Sequence, residues 1–114
     1  MLKIESSNVT IMVSDMDKAI KFYTDTLGLH LVSRYENHWA DIEGPGISIG
    51  LHPAGEDIKI GNNLSIGFKV TDIKNSVSEL TKKGVIFKLQ DDDQVQLASF
   101  NDPDGNALYL VQVQ

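Results

Sequence analysis

Asn8-Val-Thr-Ile-Met-Val-Ser-Asp15 returns later in the chain as Ser65-Ile-Gly-Phe-Lys-Val-Thr-Asp72. Val13 aligns with Val70, Asp15 with Asp72, and Ala19 and Ile20 with Ser76 and Val77, at a constant offset of 72 − 15 = 57, half of the 114 residues. Two copies at so long a period do not make a solenoid, which needs about three or more units to bury its faces. They predict a paired fold, in which one supersecondary unit occurs twice.

Working outward from the first copy, Val9, Ile11 and Val13 fall on one face of a strand, and Asn8, Thr10 and Met12 on the other. Ser14 or Asp15 can cap a following helix, in which Met16, Ala19, Ile20, Tyr23 and Leu27 recur at helical spacing until Gly28 stops it. In the second copy Leu64, Ile66, Phe68 and Val70 form the apolar face, Asp72 caps, Ile73, Val77 and Leu80 make the stripe, and Gly84 ends it. Short strands follow each helix: about 29–35, 38–42 and 47–52, then 85–89, 95–100 and 107–113. Turn residues separate them, among them Gly44-Pro45-Gly46, Asp91-Asp92-Asp93 and Asp102-Pro103-Asp104-Gly105. Each half reads strand, helix, strand, strand, strand. The expectation is an α+β fold of two βαβββ modules, about 1–53 and 62–114, in a single domain joined by the polar loop Pro53–Asn62.

Composition narrows the function classes. With 41% hydrophobic and 23% charged residues the chain reads as an ordinary globule. It has no cysteine, which removes disulfides, thiolate ligands and cysteine nucleophiles. A net charge of −6 opposes nucleic acid and anionic lipid as partners and, if it selects anything, selects cations. No apolar run approaches the roughly 20 residues of a membrane helix, and Met1-Leu-Lys-Ile-Glu5 lacks the basic start and apolar core of a signal peptide, so a cytoplasmic location is expected. No glycine-rich phosphate loop, zinc-binding His-Glu helix or nucleophile elbow occurs.

Val13-Ser-Asp-Met-Asp-Lys-Ala-Ile-Lys-Phe-Tyr-Thr-Asp-Thr-Leu-Gly-Leu29 and Phe100-Asn-Asp-Pro-Asp-Gly-Asn106, taken with the repeat, resemble the vicinal oxygen chelate superfamily of glyoxalase I, extradiol dioxygenases and bleomycin resistance proteins. The resemblance implies two sheets curled into a cup, an incomplete barrel with the helices on its convex side. Asn8, Thr10, Met12, Ser65, Gly67 and Lys69 would then line the concave side. It implies a homodimer as well, because members pair the modules of two chains.

The superfamily's enzymes hold a divalent metal through four strand positions. The resemblance carries these onto Asn8, Ser65, Gly50 and Tyr109, none of them a strong ligand. A catalytic divalent site needs about three protein donors with a position left open. The expectation is therefore no metal ligand, no catalytic residue and no cofactor, and a protein that binds a small molecule in the cup. A metal-dependent lyase or dioxygenase is the alternative, with ligands displaced to His52, which shares strand parity with Gly50. An acid/base enzyme without cofactor, using Tyr109, His52 or Asp41, is a third possibility. Trp39, the only tryptophan, is a candidate stacking wall for an aromatic or cationic guest, with Asp41 adding charge to it. Lys69 is a candidate counter-ion for an anion. His30 and His38 read as surface or packing residues, and Phe22 and Tyr23 as helix packing.

Overall fold

The computed structural model describes residues 3, 5, 8–56, 61, 64–91 and 95–113. The chain divides into two compact units, Met1–Lys59 and Ile60–Gln114. Asp92 and Asp93 of the triple-aspartate turn, and linker residues 57–60 and 62, lie outside the described residues.

In the first unit β1 (Val9–Val13) leads into α1 (Met16–Lys21), which continues as a π-helical turn, Phe22–Thr26, before β2 (His30–Tyr35), β3 (Trp39–Gly44) and β4 (Ile47–Pro53). The sheet order is β1-β4-β3-β2; β1 runs parallel to β4 and the other pairs are antiparallel. The second unit repeats this plan with β5 (Ser65–Lys69), α2 (Ile73–Lys82), β6 (Lys88–Asp91), β7 (Val95–Asn101) and β8 (Ala107–Val113), ordered β5-β8-β7-β6 with β5 parallel to β8. The α+β reading of two βαβββ modules is thus borne out. Among the described residues no helix is long and apolar enough to cross a membrane.

Each helix starts where a carboxylate can satisfy an orphan amide. Asp15 accepts from Lys18 N and Asp72 from Asn75 N, both at 3.1 Å. Each helix packs on one face of its own sheet, and the alternation in the strands decides what that face contains. In the first unit Ile11, Val13, Tyr23, Ile42, Ile49 and Leu51 are at most 1% exposed. In the second, Ile66, Ala98, Phe100, Leu108 and Leu110 are buried beside Ile73. Burial of this apolar area from water is the main stabilising term, and it leaves the opposite face of each sheet free for other work.

Two elements depart from the periodic pattern. The stripe that predicts one helix through Leu27 holds a π-turn, with Leu27 N bonded to Phe22 O at 3.0 Å and the Thr24 hydroxyl to Ile20 O at 2.7 Å. The wider turn still buries Tyr23 fully, with Phe22 edge-on to its ring at 5.4 Å. The strand expected at 85–89 pairs only from Lys88. Val85 instead closes the end of α2: its amide bonds Leu80 O at 3.1 Å after Gly84 turns to φ 95, and its side chain is buried. The apolar letters that suggested a strand belong to that cap and to Phe87, which packs on Phe100 at 5.1 Å.

A polar lock closes the last hairpin. Asp102 and Asn106 are 5% and 4% exposed. The Asp102 carboxylate accepts from Asp104 N and Asn106 N at 2.9 Å and from Asn106 Nδ2 at 2.7 Å, while Asn106 Oδ1 accepts from Gly61 N at 3.2 Å. The turn chemistry read in Asp102-Pro103-Asp104-Gly105 is therefore fastened to the segment that enters the second unit.

Candidate functional site

The open face of the first sheet carries most of the candidate residues. Strand register sets one row across it, Thr10 beside Gly50, Gly50 beside Asp41 and Asp41 beside Ser33. In the neighbouring positions Met12 pairs with His52 and Trp39 with Tyr35. Asn8, Thr10, Met12, Trp39, Asp41, Gly50 and His52 are brought to this one face, as their parity predicted.

Gly50 is glycine because something else occupies its side-chain space. A Cβ built there would lie 2.2 Å from Trp39 Cζ2, 2.3 Å from Cη2 and 3.0 Å from Asn8 Nδ2. The benzo ring of the indole and the Asn8 amide converge over bare backbone, a close approach that no other residue allows. Trp39 is held in place by its own strand neighbour: indole Nε1–H donates to Asp41 Oδ1 at 2.7 Å, and the Ser33 hydroxyl donates to Oδ2 at 2.6 Å. Ser33 stands opposite Asp41 in the register that Tyr35 and Trp39 set at the hairpin, and beyond it an irregularity of β2 between Leu31 and Ser33 makes Val32 an extra residue and shifts the register of His30 relative to Glu43. The hairpin leading to Trp39 is pinned by Arg34, whose guanidinium bonds Asp17 at 2.8 Å, Asn37 Oδ1 at 2.6 Å and Glu36 O at 2.7 Å.

The Ser33 hydroxyl first, and the Trp39 indole N–H second, hold the Asp41 carboxyl below its ordinary 3.8, against a smaller opposing effect of burial. A depressed carboxyl stabilises the folded state above its unfolded value and stops doing so as pH falls through the lowered one. The Trp39 contact should therefore be constant above about pH 5 and loosen in acid below 3.8, read as a change in the emission of the single tryptophan. The Asp41→Asn variant should lack that acid transition.

A cavity of about 360 Å³ opens on this face, lined among others by Asn8, Val32, Trp39, Asp41, Glu43 and Ser48. His52 stands edge-on to Trp39, ring centroids 6.1 Å apart, and donates from Nδ1 to Pro53 O at 2.8 Å, which leaves Nε2 for another partner. Ser33, Glu43 and Ser48 carry no motif and are missed by reading the sequence. The Tyr35–Trp39 pair that closes the hairpin is the signal that could have placed Ser33 opposite Asp41. His30 and His38 are exposed.

Ser65, Gly67, Lys69 and Tyr109 share the open face of the second sheet. The device recurs there: a Cβ on Gly67 would lie 2.3 Å from Tyr109 Cζ. Register also equates the two halves. Thr10 and Gly67 occupy the same repeat position, and they pair with Gly50 and Tyr109. Gly50 and Tyr109 are thus counterparts, 109 − 50 = 59 residues apart rather than 57. A second cavity, about 250 Å³ and mostly apolar, lies on the helix side between α2 and strands β6 and β7, and none of the candidate residues lines it. Among the described residues no group of three or more histidines, aspartates and glutamates converges as an ion site would require.

A family model described as the glyoxalase/bleomycin resistance protein/dioxygenase superfamily matches residues 6–110. The chain belongs to that superfamily. This bears out the resemblance read from the residues. The superfamily member is 29% identical to the uncharacterized protein YurT of Bacillus subtilis (strain 168), over 90% of this chain and 94% of that one. Among solved structures it is similar to TnmS3, an antibiotic binding protein from Streptomyces sp. CB03234, at 25% identity and a TM-score of 0.76 over 98% of this chain and 100% of that one. A glyoxalase/bleomycin resistance protein/dioxygenase from Nocardioides shares the fold, with a TM-score of 0.80 at 20% identity over 99% of this chain and 86% of that one.

Proposed function

We propose that this protein is a metal-free, small-molecule-binding member of its superfamily, holding its ligand on the open face of the first module against Trp39, in the cytoplasm. The observation that carries the reading is the indole seated over Gly50 and fastened by Asp41. An aromatic wall fixed in advance binds a flat guest without the entropy of ordering itself. The similarity to an antibiotic binding protein supports the same reading.

The residues do not fit the divalent metal of the superfamily's enzymes. Position 50 has no side chain, and the space where a donor would stand holds carbon atoms of Trp39. Asn8 turns its amide NH2 toward that position, a donor group rather than an electron pair. Asp41 has both oxygens engaged, and Ser65 and Tyr109 bring only hydroxyl groups. His52 offers one nitrogen, where a site needs about three ligands.

We propose a homodimer as well, in keeping with the module pairing its superfamily implies. Opposite charge supports it: β1–β4 place Asp41 and Glu43 but no lysine or arginine on their open face, whereas β5–β8 place Lys69 and Lys88 but no carboxylate. One set of measurements on the purified chain tests the whole reading. Titration with nickel, zinc and iron(II) should give no stoichiometric tight binding, and scattering should give twice the chain mass. Flat aromatic compounds should quench Trp39 emission in the wild type, and their binding, followed calorimetrically, should weaken by about tenfold in Trp39→Leu. A tightly bound ion whose loss follows His52→Ala would replace this reading with that of a metal enzyme, and a monomer would remove the dimer.

A further inference from the structure

The cavity beside Trp39 contains two carboxylates, and their surroundings give them different work. Asp41 is committed: the indole N–H and the Ser33 hydroxyl take one oxygen each. Glu43 stands two residues further along β3 on the same face, lines the same cavity, is exposed, and makes no hydrogen bond or ion pair among the described residues. Its cross-strand partners are Ser48 on one side and His30 on the other, and the strands supply no lysine or arginine to this face. A volume of about 360 Å³ holds a molecule of two or three fused rings.

We infer, resting on the small-molecule reading of this site, that the ligand is a planar organic cation whose ring lies against Trp39 and whose positive charge is met by Glu43, with Asp41 serving as the brace that keeps the indole in place. Tryptophan is the strongest of the aromatic side chains for a cation over its face, and a carboxylate nearby adds to the attraction. The cavity and its aromatic wall make the site, and the carboxylates select among the guests that fit it. Glu43 is thereby the specificity-determining residue and Asp41 a positioning residue.

Three acridines of similar shape separate the claims: proflavine as the cation, acridone as the neutral form and acridine-9-carboxylate as the anion. Binding is measured calorimetrically at pH 8. Proflavine should bind about tenfold more tightly than acridone, and acridine-9-carboxylate most weakly. Glu43→Gln should reduce the preference for proflavine about fivefold while leaving acridone affinity and tryptophan emission unchanged. Asp41→Asn should weaken both ligands and shift the emission, which a mere loss of charge would not do. Equal affinity for proflavine and acridone, with both lost in Trp39→Leu, would overturn the cation assignment and leave the small-molecule reading standing. So would a preference that survives Glu43→Gln. If none of the three binds at millimolar concentration, both readings fall.

Discussion

Gly50→Ala is expected to cost about 1–3 kcal/mol of stability and to abolish ordered placement of the only tryptophan, although it adds a single methyl group. The new carbon would stand 2.2 and 2.3 Å from two ring atoms of Trp39, far inside van der Waals contact. Backbone on the crowded side belongs to a sheet whose other face is the core, so the indole is what must move. When it moves it gives up the 2.7 Å bond to Asp41, which leaves the carboxylate with Ser33 alone. Equilibrium unfolding should show the lower midpoint, and tryptophan emission should shift to the red. Flat aromatic probes should lose about tenfold in affinity, while far-UV circular dichroism stays the same. An unchanged emission spectrum in a variant of native stability would show that the ring does not depend on the missing side chain. The matching change in the second unit, Gly67→Ala, meets Tyr109 at 2.3 Å and provides a control that should leave the tryptophan signal alone.

Asp102→Ala is expected to destabilise the second unit by about 2–4 kcal/mol. The carboxylate is 5% exposed, and its removal leaves the amides of Asp104 and Asn106 and the Asn106 side-chain NH2 without their acceptor. Unsatisfied buried donors cost more than the bonds themselves contribute, because the folded chain no longer offers them water. The effect reaches the start of the second unit through Asn106, whose side-chain oxygen Oδ1 accepts from Gly61 N at 3.2 Å. Gly61 has φ 84 and abuts Asp104 O, so it has little room to find another partner. Urea unfolding should show Asp102→Ala well below Asp102→Asn, which keeps one acceptor oxygen for the backbone amides. Equal midpoints for the two variants would mean that the charge or shape of the loop matters, and not the acceptor.

Much of the fold was legible because it rests on short-range rules. The 57-residue repeat, the alternation in Val9–Val13 and Ser65–Lys69, and the capping aspartates at 15 and 72 each report a local preference that the tertiary structure had no reason to override. Parity also sent Asn8, Thr10, Met12, Trp39, Asp41, Gly50 and His52 to one face, since side chains alternate along every strand. Where two local signals competed, the pattern misled: Val85 and Phe87 have the letters of a strand but serve a helix cap and a ring contact.

The arrangement at the site is of another kind. That the indole lies over Gly50, that Ser33 and not a nearer residue reaches Asp41, and that Gly50 is the counterpart of Tyr109 all depend on how strands distant in sequence register against one another. The hairpin register of Tyr35 with Trp39 sets the second of these, and two more residues between β5 and β8 than between β1 and β4 set the third. Periodicity along a chain determines which way a side chain faces. Only the assembled sheet decides what it meets there, because free space and hydrogen-bond partners are set by neighbours the local sequence does not contain.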